Sequence, residues 1–288
     1  MTASRSPARA DSEPARTAEL LRNARFEVLP LEGIEEQVLA HLGTDAKVTV
    51  TASPRRGLDA TVELTERLTA AGYATVPHIS ARLVRDRAHL TELIDRFQAG
   101  GVRELFVLAG DAAEPAGEFP GAVELLEAIG PRRADFDAIG ITGYPESHHL
   151  ISDEETIRAM FAKAPMATYI VSQLCFDAEV IAAWIANVRR RGTDLPIWIG
   201  VPGNVAYAKL LRTSMRIGLG ESARFLRHRG SWISRLVTRQ FKPEQLVRDL
   251  APIAADSAAR VAGIHLYTLN EVARTERWRR AELARLGA

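Results

Sequence analysis

The stretch "TYIVSQLCFDAEVIAAWIANVRRRGTDLPIWIG", residues 168–200, holds one complete strand–helix–strand unit. Its opening run "TYIVSQ" (168–173) and its closing run "PIWIG" (196–200) are short and apolar, as buried strands are. Between them, "DAEVIAAWIANVRRRG" (177–192) sets Val180, Ile181, Trp184, Ile185 and Val188 on one stripe at helical spacing. Asp177 stands where an N-cap belongs and Gly192 where a C-terminal cap belongs.

The same alternation extends in both directions. Further strands are expected at "RFEVL" (25–29), "AKVTVT" (46–51), "ATVPH" (74–78), "ELFVLA" (104–109), "FDAIGIT" (136–142) and "GIHLY" (263–267). Helical patterns fall between them at 58–72, 87–101 and 153–164, with Gly72 and Gly101 as caps and Asp153 as an N-cap. Eight such units predict an α/β fold, a (βα)8 TIM barrel, with a doubly wound open sheet as the rival. The segment 203–262 exceeds one unit and predicts two or three extra helices between strands 7 and 8. Residues 1–24, rich in Ala, Arg, Ser and Pro, read as a disordered or loosely docked arm, and 25–288 as a single barrel domain.

Composition narrows the partners. A net charge of +1 over 288 residues gives no general case for nucleic acid or a membrane surface. No apolar run is long enough to cross a bilayer. Cys175 is the only cysteine, so no intramolecular disulfide forms, and a cytoplasmic setting is expected. The oligomeric state is not legible, with a monomer favoured.

In a barrel of this type, active-site groups project from the C-terminal ends of the strands. Polar residues fall there repeatedly: Thr51, His78, Asp111 in "VLAGD", Tyr144, Glu146 and His148 in "GYPESHH", Gln173, Asn204 and Asn270. Taken singly, Asp111 reads first as a cap, His148 and His149 as a solvated pair, and Cys175 as a small hydrophobe. His265 reads as part of a tight polar layer. No metal-ligand spacing links the histidines to a third ligand, so no metal is expected. "GLGES" (218–222) follows no strand of a βαβ unit, which makes a dinucleotide fingerprint a poor reading. Seven arginines and one lysine between Lys209 and Arg239, namely Lys209, Arg212, Arg216, Arg224, Arg227, Arg229, Arg235 and Arg239, face Glu221 alone. That excess suits a folded anion site or a solvated basic face equally.

Glu27 lies within the first strand, among Phe26, Val28 and Leu29. An ionised carboxylate there is costly without a partner, so the carboxyl is expected to take up a proton or to find a partner.

These segments together resemble the methylenetetrahydrofolate reductase family. "RFEVLP", "VTVT" with "GLDAT", "VPHIS", "VLAGD", "GYPESHH", "SQLCFD" and "GIHLYTLN" are similar to family motifs, in order and at compatible spacing. The resemblance implies a barrel that reduces 5,10-methylenetetrahydrofolate to 5-methyltetrahydrofolate. By position it implies Glu27 as general acid, Asp111 as the carboxylate over the pterin, and Gln173 as the amide on the pterin edge, with Tyr267 also on the substrate side. Thr51, His78, Tyr144 and His148 match positions lining the flavin site. Three departures remove positive charge or donors from that site: Ala109, Ala162 beside Lys163, and Glu271 stand where the family carries arginine, lysine and arginine. The pattern resembles a flavin-independent branch in which NAD(P)H, NADH foremost, passes hydride directly to folate, with no tightly bound FAD required. The alternatives are an FAD-dependent methylenetetrahydrofolate reductase, a deazaflavin-dependent methylene-tetrahydropterin reductase and a non-catalytic folate-binding subunit.

Overall fold

The computed structural model describes residues 12–53, 56–146, 153–216 and 241–288. Eight parallel strands close into a barrel in chain order: β1 (Arg25–Val28), β2 (Lys47–Val50), β3 (Ala74–Ser80), β4 (Glu104–Leu108), β5 (Ala138–Gly143), β6 (Tyr169–Ser172), β7 (Ile197–Pro202) and β8 (Val261–Tyr267). β1 pairs with β8, matching Glu27 to Tyr267, which closes the cylinder and excludes the open sheet. The helices are α1 (Glu13–Arg22), α2 (Ile34–His41), α3 (Asp59–Ala70), α4 (Arg87–Ala99), α5 (Ala122–Ile129), α6 (Asp153–Lys163), α7 (Ala178–Arg190), α8 (Tyr207–Arg216), α9 (Glu244–Ala255) and α10 (Val272–Arg285). α8 and α9 both lie between β7 and β8, as the length of that segment predicts.

Strand alternation sorts side chains into two cores. Phe26, Val28, Val48, Val50, Ile139, Ile141, Ile264 and Leu266 face outward and pack under the helices. The opposite faces supply Val76, Phe106, Tyr169 and Val171, which fill the barrel interior with Trp198 beside them. Gly140 belongs to this inner face: a Cβ there would stand 2.3 Å from the Tyr169 ring and 2.7 Å from Phe106.

The lower end of the barrel is sealed by paired charge. Arg25, buried at the start of β1, donates to Glu104 at 3.2 Å and lies 3.8 Å from the centroid of the Trp198 ring; Lys47 bonds the same carboxylate. A buried guanidinium is tolerable because it gains both a carboxylate and aromatic faces. Polar groups left for chemistry therefore lie toward the other end.

The caps read at Asp177, Gly72, Gly101 and Gly192 hold. The Asp177 carboxylate accepts from the amides of Glu179 and Val180 at 2.9 and 3.3 Å. Gly72, Gly101 and Gly192 have φ of 93°, 83° and 90°, values that favour glycine.

One expectation is corrected. Within the segment read as an arm, Glu13–Arg22 is an ordered helix with Thr17, Ala18, Leu20 and Leu21 buried, packed against α9. Arg279 of α10 donates to the Leu21 carbonyl at 3.1 Å. The Ala, Arg and Pro content masked a short apolar stripe. Residues 1–11 lie outside the described residues.

Candidate active site

Glu27 points into the barrel, because its neighbours Phe26 and Val28 both face the outer core. It is 8% exposed. Two imidazoles meet the same carboxyl oxygen: His265 Nε2 lies 3.0 Å from Oε2, and His78 Nε2 lies 3.9 Å from it. Burial outweighs the attraction of Glu27 and brings the His78 pKa down to about 4, so near pH 7 that ring is neutral and its contact is not an ion pair. The His78 ring leans on Phe106, with centroids 4.7 Å apart.

The backbone of β1 is pinned from β8's C-terminal extension. Thr268 Oγ1 donates to the Glu27 carbonyl at 2.5 Å. Asn270 makes two bonds to Leu29: Oδ1 accepts from the amide at 2.8 Å, and Nδ2 donates to the carbonyl at 3.0 Å. Asn270 achieves this in the left-handed region at φ 64°, a conformation asparagine tolerates better than most residues. The motif "YTLN" thus fixes the strand that holds the buried acid.

The other sequence-selected residues gather around the upper rim. Tyr267, two residues beyond His265 on the inner face, donates its hydroxyl to the Ser172 carbonyl at 3.2 Å. Burial, and then the Glu27 carboxyl, push its phenol pKa well up. Gln173 follows β6; its amide nitrogen donates to the Gly143 carbonyl at 2.7 Å, while its side chain makes no bond to any protein group among the described residues. Asp111 is exposed after Gly110, whose φ is 91°. Tyr144 is bonded to the Thr142 side chain; burial raises its phenol pKa, and the Asp111 charge nearby raises it further. Thr51 follows β2 with its Oγ1 buried and without a hydrogen-bond partner among the described residues. Asn204, after β7, likewise buries an Oδ1 that finds no partner among the described residues. Glu146 is buried and faces the Cys175 thiol, whose pKa is driven up by burial first. That environment suits the reading of Cys175 as a small hydrophobe.

His148 lies outside the described residues, as do Arg224, Arg227, Arg229, Arg235, Arg239 and "GLGES". Among the described residues, no group of three or more His, Cys, Asp or Glu side chains is arranged to hold a metal ion. No described helix is long and apolar enough to cross a membrane.

Two buried polar features near the candidate site were not singled out from sequence. His265 was read only as part of a polar layer, and its pairing with Glu27 is a cross-strand contact that no local pattern announces. Lys163 is the second. Its ammonium is buried at the end of α6, donates to Thr142 Oγ1 at 3.0 Å, and has its pKa lowered by burial to about 8.

The family model described as methylenetetrahydrofolate reductase matches residues 38–219. The chain belongs to the methylenetetrahydrofolate reductase family. "Methylenetetrahydrofolate reductase 2" of Saccharomyces cerevisiae is 26% identical over 185 residues, covering 60% of this chain and 28% of that protein. "Methylenetetrahydrofolate reductase 1" of Schizosaccharomyces pombe is 30% identical over 141 residues, covering 45% and 23%. "Methylenetetrahydrofolate reductase (NADH) 1" of Arabidopsis thaliana is 24% identical over 194 residues, covering 61% and 29%. The matched stretch thus spans less than a third of each of these relatives. Among solved structures, "oxaloacetate acetylhydrolase in complex with the inhibitor 3,3-difluorooxalacetate" aligns over 96% of this chain and 86% of its own, with TM-score 0.51 and 12% identity, a likeness of fold alone.

The three positions at which this family member departs from the motifs can now be placed. The Ala109 carbonyl accepts from the Arg82 amide at 3.0 Å and from Ser80 Oγ at 3.2 Å, so this position offers only backbone. Glu271 opens α10 and is neutralised by Lys209 at 3.2 Å and Arg274 at 3.4 Å. Lys163, adjacent to Ala162, is turned onto Thr142 and buried.

Proposed function

We propose that this chain reduces 5,10-methylenetetrahydrofolate to 5-methyltetrahydrofolate in the cytoplasm by direct hydride transfer from NAD(P)H, with NADH the preferred donor. The observation that carries the reading is the buried Glu27 carboxyl, bonded to His265 and facing the barrel interior below the rim that bears Asp111, Gln173 and Tyr267.

The bridging methylene of the substrate is a closed aminal and a poor hydride acceptor. Glu27 protonates the departing nitrogen, the ring opens, and a 5-iminium cation forms that accepts hydride. The conversion of one substrate consumes one proton, which water returns to Glu27 between turnovers. Asp111 stabilises the cation electrostatically, and the free amide of Gln173 donates and accepts along the pterin edge. Tyr267 borders the pterin beside Glu27. Thr51, His78, Tyr144 and His148 line the space for the nicotinamide, which lies against the pterin so that donor and acceptor carbons meet.

The residues present fit FAD poorly. An arginine on a phosphate makes strong charge-assisted bonds. Here one such position offers an alanine backbone, another a carboxylate already paired with Lys209 and Arg274, and Lys163 beside the third is buried on Thr142. These features support a hydride donor that binds transiently over a resident flavin.

The test is anaerobic oxidation of NADH by methylenetetrahydrofolate, with the visible spectrum of the purified protein recorded first. A colourless protein that turns over supports the proposal. A yellow protein whose turnover disappears when the flavin is stripped overturns the direct transfer, and a protein inert with NADH and NADPH overturns the activity.

A further inference from the structure

We infer that His265 is the positioning residue that assigns the transferable proton of Glu27 to one oxygen, Oε1. This rests on the proposed role of Glu27 as proton donor. The geometry begins at the other end of the imidazole. His265 is 1% exposed, and its Nδ1 is buried with no hydrogen-bond partner among the described residues. A hydrogen on Nδ1 would be a stranded buried donor, which folded proteins avoid more strictly than an unmet acceptor. The ring therefore carries its hydrogen on Nε2 and donates it to Glu27 Oε2 at 3.0 Å. An oxygen that accepts this bond is the carbonyl oxygen of the acid, so the acid hydrogen resides on Oε1.

The surroundings agree. Three ionisable side chains interact with Glu27 among the described residues, His78 from β3 and His265 and Tyr267 from β8. Both imidazoles converge on Oε2, which leaves Oε1 for the substrate. Residues 25 and 265 are register partners, so acid and imidazole stand on adjacent, hydrogen-bonded strands. Thr268 and Asn270 then hold the backbone at Glu27 and Leu29 in that register.

The proton balance follows. The Oε1–H bond breaks as a new N–H bond forms on the departing nitrogen, and the C–N electron pair goes to that nitrogen. The negative charge left on the carboxylate is met at Oε2 by the Nε2–H of His265, at the moment it forms. Hydride from the nicotinamide neutralises the iminium carbon, and water restores the Oε1 proton.

Two measurements test this. In protein labelled with 15N-histidine, the imidazole signals that vanish in His265→Gln report the tautomer of His265 without any turnover. The Nε2–H form is expected, and the Nδ1–H form overturns the inference. In kinetics, His265→Leu is expected to lower kcat about 10- to 100-fold, the weight of a hydrogen bond to a charged group, with KM for the folate changed less than about threefold. His265→Gln, whose amide N–H reaches the same oxygen, is expected to recover most of the loss. Equal losses in both variants, or wild-type kcat in His265→Leu, overturn the assignment. Failure of the wild-type protein to turn over at all would refute the proposed function and leave the tautomer result to decide the geometry.

Discussion

Asn270→Ala probes the device that holds the acid. The side chain makes two bonds to Leu29, at 2.8 and 3.0 Å, across a sequence separation of 241 residues. At about 1 kcal/mol each, their loss costs about 2 kcal/mol. Alanine must also adopt φ 64°, which adds about 1 kcal/mol for a residue with an ordinary Cβ. Asn270→Ala is therefore expected to lose about 3 kcal/mol in urea unfolding, and Asn270→Gly, which relieves the backbone but not the lost bonds, about 2 kcal/mol. Because Glu27 sits two residues before Leu29, kcat should fall roughly tenfold in both as the carboxyl loses its placement. A loss below about 0.5 kcal/mol in Asn270→Ala would refute the clamp, and an alanine variant no worse than the glycine variant would refute the backbone contribution.

Two further outcomes follow from buried titratable groups. The native His78 pKa near 4 lies below its unfolded value, so on acidification the unfolded chain takes up the proton first and stability falls. The difference in unfolding free energy between wild type and His78→Asn should shift by about 3 kcal/mol as pH drops from 6.5 to 4, and a flat difference across that window contradicts it. Lys163→Met should raise stability at pH 7 by about 1–3 kcal/mol, since it removes a buried ammonium that has one hydrogen bond and no ion-pair partner among the described residues; a destabilised variant would show that the amine is compensated.

Much of the fold was legible because each repeating unit carries its own signal. The Val180–Val188 stripe, the Asp177 cap and the glycines at 72, 101 and 192 are local features, and local features survive into the structure. Helix α1 escaped because its stripe is short and its composition is that of a tail. The strand positions of Glu27, His78 and Tyr267, and that of Gln173 just past the end of β6, were readable from alternation and from family resemblance. Their partnerships were not. His265 meets Glu27, and Asn270 meets Leu29, only when β8 closes against β1, and nothing in either segment alone specifies the other. Asn270 itself, read as a rim residue, is a clamp on the backbone. Lys163 stood out only as a neighbour of a missing lysine, because burial of a charged side chain is a property of packing.

The most direct test of the account is Glu27→Gln, a change that keeps size and polarity while removing the ionisable proton. Equilibrium binding of methylenetetrahydrofolate should stay within about threefold of wild type, while kcat falls about 100- to 10,000-fold, the usual weight of a general acid. A variant that binds normally and turns over within about twofold of wild type would contradict the assignment of Glu27 as the proton donor.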